Sequence, residues 1–113
     1  MNAEILKRYH ISFLKNANGD KFPDGKTPLS SYLSIWQDID DINDFLADIH
    51  ACLNDEFSNI PQPAYYYDTL RGFYGELTAD NFLLYSKDKT KSISVPLADF
   101  KEIISSWKEF LFQ

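Results

Sequence analysis

Two segments with helical periodicity lie on either side of a strand-rich stretch, and this succession constrains the fold more than any other feature of the chain. In residues 34–54, apolar side chains recur at spacings of three and four, which places them on one face of a helix. They are Ile35, Ile39, Ile42, Leu46, Ile49 and Leu53. We expect Ser34 to cap the N-terminus of this helix, and Asp38 suits the positive end of its macrodipole.

The stretch that follows is predicted to be a β-meander, because its strong β-formers are separated by short polar turns. Three strands are predicted: the first begins at residues 65–67 and continues over 71–77, and the other two are residues 82–86 and 92–95, with turns at 78–81 and 87–91. Pro96 ends the last strand, and a second amphipathic helix is predicted over residues 97–111. Its apolar stripe consists of Leu97, Phe100, Ile104, Trp107 and Leu111.

The N-terminal third is predicted to hold one strand and a long connection. Tyr9, Ile11 and Phe13 alternate with other side chains, which predicts a strand within residues 5–15. Turn-forming residues predict a connection over residues 16–33, anchored at its end by Tyr32 and Leu33. The resulting order β-α-β-β-β-α indicates a single α+β domain over residues 1–113, in which two amphipathic helices pack on an antiparallel β-meander.

The charge of the chain restricts the partners it can bind. The formal net charge is −6 at pH 7, and the sequence has no basic stripe of the kind that binds nucleic acid. We therefore expect neither nucleic acid nor a membrane as a direct ligand. The N-terminus lacks the features of a signal peptide, and no apolar run approaches the ~18–20 residues that span a bilayer, so we expect a cytoplasmic protein.

No catalytic group is recognisable in the sequence. Cys52, the single cysteine, is expected to be a buried residue in a reducing compartment. His50 lies two positions away, and residues i and i+2 of a helix point in different directions, which argues against a thiol–imidazole pair. Nucleotide-binding loops and the serine-hydrolase elbow are also missing from the sequence. We therefore expect a protein that is not an enzyme and that needs no cofactor.

A metal site is not expected either, although aspartates are dense between residues 38 and 48. Calcium-binding loops place carboxylates on a flexible loop with a glycine at its sharp turn. Here the aspartates alternate with apolar residues at helical spacing, and a regular helix cannot wrap its own side chains around one ion. The sequence also lacks the paired cysteines and histidines of a zinc site.

The charge distribution points instead to a protein partner. Between Lys26 and Arg71 the sequence has no Lys or Arg. The acidic residues of the helix predicted over residues 34–54 are expected to form a ridge opposite its apolar stripe. The ridge consists of Asp40, Asp41, Asp44 and Asp48. Like charges four residues apart destabilise a helix, so a basic partner would explain this choice, and an ordinary solvated face is the alternative.

A second candidate surface follows the ridge in the sequence. Asp55, Glu56 and Asp68 extend the acidic region, and Tyr65, Tyr66 and Tyr67 precede Asp68. Alternation along a strand would place Tyr66 on one face and its two neighbours on the other, so at least one ring is expected to reach solvent. Tyrosines with acidic neighbours are typical of protein interfaces, and rings that cover the edge of the core are the alternative.

The C-terminal part of the chain resembles small bacterial immunity proteins that accompany polymorphic toxins, including those of contact-dependent growth inhibition. The resemblance rests on the runs 75–85 and 93–97, on Ile103 and Ile104, and on Trp107 with Phe110 and Leu111. It covers residues 73–111, and its motifs pack a helix on a meander. It implies a cytoplasmic protein that blocks the active site of a toxin, often a nuclease, and it assigns no contact residues.

The physical argument and the resemblance agree on one mechanism. A nuclease cleft is basic because it holds a phosphate backbone, and an acidic helix can fill it and speed the encounter. Two alternatives stay open: an acidic adaptor or assembly subunit that forms homo-oligomers through an apolar patch, and a small enzyme or ligand-binding domain with a concave pocket.

Overall fold

The computed structural model describes residues 1–25, 27–60, 64–68, 73–86 and 92–113. Its helices are α1 (Ala3–Arg8), α2 (Pro28–Leu33), α3 (Ile39–Leu53) and α4 (Leu97–Leu111), and Phe57–Asn59 form a short 3-10 helix. Its strands are β1 (Ile11–Lys15), β2 (Lys21–Gly25), β3 (Ala64–Asp68), β4 (Phe73–Leu77), β5 (Asn81–Ser86) and β6 (Ser92–Pro96). The α+β class and the antiparallel meander are confirmed, but the predicted order β-α-β-β-β-α is incomplete, because it omits α1, β2 and α2 and counts β3 and β4 as one strand.

The chain divides into two compact units. The first comprises Met1–Leu46 together with Lys101–Gln113, and the second comprises Ala47–Phe100. The first unit contains the hairpin β1–β2, and the second contains the four-stranded sheet in the order β3-β4-β5-β6. The single domain over residues 1–113 stays a prediction.

The predicted strand over residues 5–15 is wrong in its first half. Residues Ala3–Arg8 form α1, where the Asn2 side chain accepts a hydrogen bond from the Ile5 backbone N–H at 3.1 Å. This helix is too short to show a 3.6-residue period in the sequence. Only Ile11–Lys15 are extended, and they pair with β2 from Ile11↔Gly25 to Lys15↔Lys21.

The predicted connection over residues 16–33 contains regular structure. Asn16 forms the hairpin turn, because its Oδ1 accepts hydrogen bonds from the backbone N–H groups of Asn18 and Asp20 at 2.9 and 3.0 Å. β2 follows, and α2 then begins at Pro28, whose fixed φ suits the first position of a helix. The prediction that Tyr32 and Leu33 are anchored in the core is confirmed, because both are fully buried.

The predicted start of the long helix is also corrected. α3 begins at Ile39, and Asp38 is its cap, since the Asp38 Oδ1 accepts hydrogen bonds from the backbone N–H groups of Asp40 and Asp41 at 2.9 and 3.1 Å. Ser34 instead ends α2. Its hydroxyl donates to the Ser31 carbonyl at 2.6 Å.

The buried stripe of α3 differs from the predicted one by part of a turn. The side chains that face the core are Ile42, Phe45, Ile49 and Cys52. Ile39 and Leu46 lie at the margin of this stripe and are half-buried, whereas Leu53 is exposed. Ile35 precedes the helix. The predicted stripe is shifted to one side of the buried face because it was built from Ile and Leu alone, which leaves out Phe45 and Cys52.

Aromatic rings build the core of the first unit around Trp107. The Trp107 Nε1–H donates a buried hydrogen bond to the Trp36 carbonyl at 2.8 Å. Its ring centroid lies 5.2 Å from that of Phe13 and 6.1 Å from that of Phe110. Lys21 then holds the end of α4, since its Nζ donates to the carbonyls of Phe110 and Leu111 at 2.8 and 3.2 Å. The hairpin and the C-terminal helix are thereby joined by apolar packing and by hydrogen bonds.

The strands of the meander in the second unit alternate between buried and more exposed residues. Leu77, Phe82, Leu84 and Val95 are buried, and Phe82 stacks on Phe100 of α4 with ring centroids 4.0 Å apart. The predicted turn at 78–81 is confirmed: the Thr78 Oγ1 accepts a hydrogen bond from the Asn81 N–H at 2.9 Å. The predicted turn at 87–91 lies outside the described residues.

Gly25 is the position in the hairpin where a side chain is least tolerated. A Cβ added there would lie 2.5 Å from the backbone oxygen of His10, closer than real Cβ contacts occur. Because that oxygen belongs to the backbone, the chain itself must shift. We expect Gly25→Ala to lower the free energy of unfolding by about 1–3 kcal/mol in urea denaturation. The neighbouring exposed variant Asp24→Ala should change it by less than about 0.5 kcal/mol. Equal effects of the two substitutions would contradict the crowding.

Candidate partner-binding surface

The acidic ridge lies on the solvent side of α3. Asp40, Asp41 and Asp44 are exposed, and Asp48 is half-buried. Asp40 and Asp44 are one turn apart, as are Asp44 and Asp48, so neighbouring carboxylates follow one another along the helix surface. Asp40 and Asp41 lie in the first turn, where negative charge is stabilised by the macrodipole, but Asp44 and Asp48 lie beyond it.

The helix that carries the ridge has almost no positive charge of its own. α3 contains no Lys or Arg, and its one basic residue, His50, lies in the last turn. Each like-charged pair four residues apart costs a few tenths of a kcal/mol, and aspartate is a poor helix former in mid-helix. A surface selected for stability alone would place lysines here, as α4 does with Lys101 and Lys108. The ridge therefore presents a field that attracts cationic groups.

The C-terminal end of α3 is followed by two acidic residues, Asp55 and Glu56, at positions where negative charge is unfavourable. Asp55 has φ of 60°, in the left-handed region. Its N–H donates to the Cys52 carbonyl at 3.2 Å, and the Glu56 N–H donates to the Ala51 carbonyl at 2.8 Å. These two bonds form a Schellman motif, whose left-handed position usually holds glycine. Asp55 and Glu56 also place negative charge at the negative end of the macrodipole.

Replacing Asp55 by glycine should stabilise the protein. The substitution relieves the left-handed strain of about 1–2 kcal/mol and removes a charge from the helix C-terminus. We expect the free energy of unfolding to rise by roughly 1 kcal/mol after the extra entropy of unfolded glycine is subtracted. Asp55→Asn separates the two causes, because asparagine tolerates this conformation and is neutral. Chemical denaturation of both variants is the measurement, and a loss of stability in Asp55→Gly would show that the carboxylate has a structural role.

Tyr65, Tyr66, Tyr67 and Asp68 lie in β3, the edge strand of the meander next to β4. The register runs Tyr65↔Gly75 and then Tyr67↔Tyr74, so Tyr66 is the extra residue of a β-bulge. A bulge interrupts the simple alternation on which the prediction for these rings was based. The side chains of this strand lie outside what the structure describes, and the exposure of the rings stays a prediction.

The structure distributes the predicted site residues over both units. Asp40, Asp41 and Asp44 belong to the first unit. Asp48, Asp55, Glu56 and the strand β3 belong to the second. The sequence analysis missed one exposed apolar feature in the first unit, the cross-strand pair Leu14 and Phe22. The signal for it was weak: turn-forming residues 16–20 separate two short segments, but residues 21–25 contain one large apolar side chain, Phe22, followed by Pro23.

The surroundings of Cys52 make its thiol a poor nucleophile. Its side chain is buried, with 3% exposed. Burial raises the pKa of the Cys52 thiol, and the nearby Asp48 carboxylate raises it further. His50 is exposed on the same helix. A buried thiol with a raised pKa carries little thiolate, the form that acts as a nucleophile.

This arrangement predicts slow thiol chemistry. In the native protein, modification of Cys52 by an aromatic disulfide reagent should be at least about tenfold slower than in the denatured protein, since the helix must open first. The rate should rise with pH through a midpoint above the usual thiol value of about 8.5. Asp48→Asn should lower that midpoint, and Asp44→Asn is the matched control. Rapid native modification at neutral pH would contradict this.

The parts of the chain that the structure describes contain no group of three or more His, Cys, Asp or Glu arranged to hold a metal ion. None of the helices in the described ranges is long and apolar enough to cross a membrane.

In comparisons with known proteins, no family model, no curated protein and no solved structure matches the chain.

Proposed function

We propose that this protein is an immunity protein, which binds a cognate bacterial toxin domain and neutralises it. The observation that carries the proposal is the acidic ridge of Asp40, Asp41, Asp44 and Asp48 on α3, a helix without Lys or Arg. Asp44 and Asp48 lie beyond the first turn of α3, where like charges four residues apart destabilise a helix, so a second role explains them best. A charged row that faces solvent is suited to the recognition of an oppositely charged surface.

The chemistry of the ridge favours a nuclease as the target. A nuclease holds a phosphate backbone with Lys and Arg, so its active cleft is the most basic surface that a toxin offers. Carboxylates can occupy the places of phosphates in such a cleft, and the cleft is then closed to nucleic acid. Long-range attraction also accelerates the encounter, which matters for a protein that must act before the toxin does.

The rest of the interface would come from the acidic and aromatic residues that follow the ridge in the sequence. A stable complex buries roughly 800 Å² on each partner. The ridge alone is too small, so Asp55, Glu56 and the segment Tyr65–Asp68 are proposed as further contacts. In this role the protein needs no catalytic residue, no metal and no cofactor, and it acts in the cytoplasm, where the toxin would meet its substrate.

An acidic adaptor that assembles through an apolar patch is the second candidate. The exposed pair Leu14 and Phe22 supports it, because large apolar side chains at neighbouring surface positions favour association. Sedimentation velocity tests this second candidate. An adaptor of this kind is a stable homo-oligomer at micromolar concentration, so a monomer would rule it out, whereas an immunity protein is expected to bind its toxin regardless of its own oligomeric state.

The direct experiment is neutralisation of a toxin domain encoded next to this protein. The toxin domain is produced in cells with and without the protein, and its nuclease activity is titrated in vitro. We expect growth only when the protein is present, and complete inhibition at one equivalent. A toxin that retains its activity in the presence of excess folded protein would refute the proposed function.

A further inference from the structure

Within the part of the chain that the structure describes, no strand lies against one edge of the hairpin β1–β2. β2 is in contact with α2, and its Pro23 has no N–H to offer to a further strand. β1 pairs only with β2 among the described residues, and its register contains no bulge. It also lacks proline. β1 is short and carries Lys15, but an edge without a bulge or a proline is a surface to which extended peptides add as a new strand.

A groove lies beside β1 where α1 joins it. Its volume is about 680 Å³, and its lining includes Lys7 and His10, the β1 residues Ile11, Ser12 and Phe13, and Asp24 and Gly25 of β2. The groove thus lies at the end of the hairpin where Ile11 and Ser12 pair with Gly25 and Asp24, and it gives access to this part of β1.

The segment that contains β1 is basic, although the protein as a whole is acidic and Asp24 of β2 lies opposite Ser12. The segment from Lys7 to Lys15 holds Lys7, Arg8, His10 and Lys15 and no acidic residue, in a chain of net charge −6. Lys7, His10 and Lys15 are exposed, and Arg8 lies 4.0 Å from Glu4 of its own helix. An occupant of the edge would therefore be stabilised by carboxylates placed near the two ends of β1.

The outward face of the hairpin adds an apolar contact. Leu14 and Phe22 are directly opposite each other in the register and are 41% and 38% exposed. Phe13 points to the other face, where its ring meets Trp107 and Phe110. A strand added to β1 would place alternate side chains beside Leu14, and an apolar side chain there would remove this surface from water.

From these observations we infer that the free edge of β1 binds an extended segment of a partner protein by strand addition. The segment alternates apolar side chains with acidic ones. This surface is distinct from the acidic ridge and recognises the opposite charge, so the inference does not depend on the proposed function.

The test is selection of a phage-displayed library of random linear peptides on the full-length protein, followed by titration of the most enriched peptide. We expect enriched peptides to alternate β-branched residues with Asp or Glu. In the complex, amide hydrogen exchange should slow at alternate residues of β1, as main-chain pairing requires. The double variant Lys7→Glu/Lys15→Glu should bind about tenfold more weakly or worse at low salt.

The matched control is Lys101→Glu/Lys108→Glu, which makes the same change of net charge on α4 and should bind the peptide nearly as wild type does. Circular dichroism confirms that both variants fold. The inference is overturned if no peptide is enriched, if the enriched peptides are neutral or basic, or if binding slows exchange outside β1 only. A stable homodimer in which β1 is already protected from exchange would also overturn it, because a second copy would then be the occupant.

Discussion

Replacement of Trp107 by alanine should lower the free energy of unfolding by about 3–5 kcal/mol, the largest stability effect expected in this chain. Trp107 is fully buried and contacts the rings of Phe13 and Phe110. Truncation leaves a cavity and also deprives the buried Trp36 carbonyl of the hydrogen bond from Nε1. An unsatisfied buried acceptor costs about 1–3 kcal/mol by itself, which is part of this total.

Trp107→Phe separates the two contributions. Phenylalanine keeps an aromatic ring in contact with Phe13 and removes the Nε1–H donor, so an intermediate loss of roughly 2 kcal/mol is expected. Ile42→Ala, at another fully buried position, should cost about 2–5 kcal/mol. Equilibrium urea denaturation measures all three. Denaturation midpoints near that of the wild type for Trp107→Ala and Ile42→Ala would show that these residues are not the core.

The meander and the second long helix were predictable because their sequence signals are local and agree with one another. Strands of alternating apolar residues are joined by a turn that Thr78 closes with its own side chain, and Pro96 stops the last strand just before α4 begins. The buried positions Phe100, Ile104 and Trp107 follow the helical period. Where propensity, periodicity and turn-forming residues all indicate the same element, the sequence alone is enough to predict that element.

The N-terminal third was not predictable in the same way, because its elements are short. α1 and α2 have six residues each, less than two turns, so no periodicity can develop. Pro23 was assigned to a turn, although a proline is tolerated in an edge strand such as β2. The capping of α3 depends on tertiary context: Ser34 is used to end α2, and Asp38 is then the next available cap.

The candidate site was partly predictable. The ridge follows from helical geometry, and three of its four aspartates are exposed as expected, with Asp48 half-buried. The left-handed conformation of Asp55 could not be inferred, because the usual sequence signal of a Schellman motif is a glycine at the left-handed position. The bulge at Tyr66 could not be inferred either, since it depends on how β3 aligns with β4.

Neutralisation of the acidic ridge should have the largest effect on partner binding. The variant Asp40→Asn/Asp41→Asn/Asp44→Asn/Asp48→Asn keeps side-chain size nearly constant and removes four negative charges. Stability should change by less than about 1 kcal/mol, because relief of like-charge repulsion offsets the loss of favourable dipole interactions in the first turn. Association with the toxin domain should slow by about tenfold or more at low salt.

A control variant must change the net charge equally without touching α3. Asp20→Asn/Asp24→Asn/Glu102→Gln/Glu109→Gln meets this requirement, because these residues lie on other parts of the first unit. If the protein is steered by its total charge alone, both variants slow association to the same extent. If the ridge is the recognition surface, the α3 variant has the larger effect, since its charges lie closest to the partner in the complex.

The most direct measurement is the association rate constant of the wild type and the α3 variant with the toxin domain as a function of ionic strength. The account predicts a steep decrease for the wild type, a shallow one for the variant, and convergence at high salt, where the screening length falls below about 8 Å. Equal rate constants and equal salt dependence for the two proteins would contradict it and would mean that the ridge is an ordinary solvated surface.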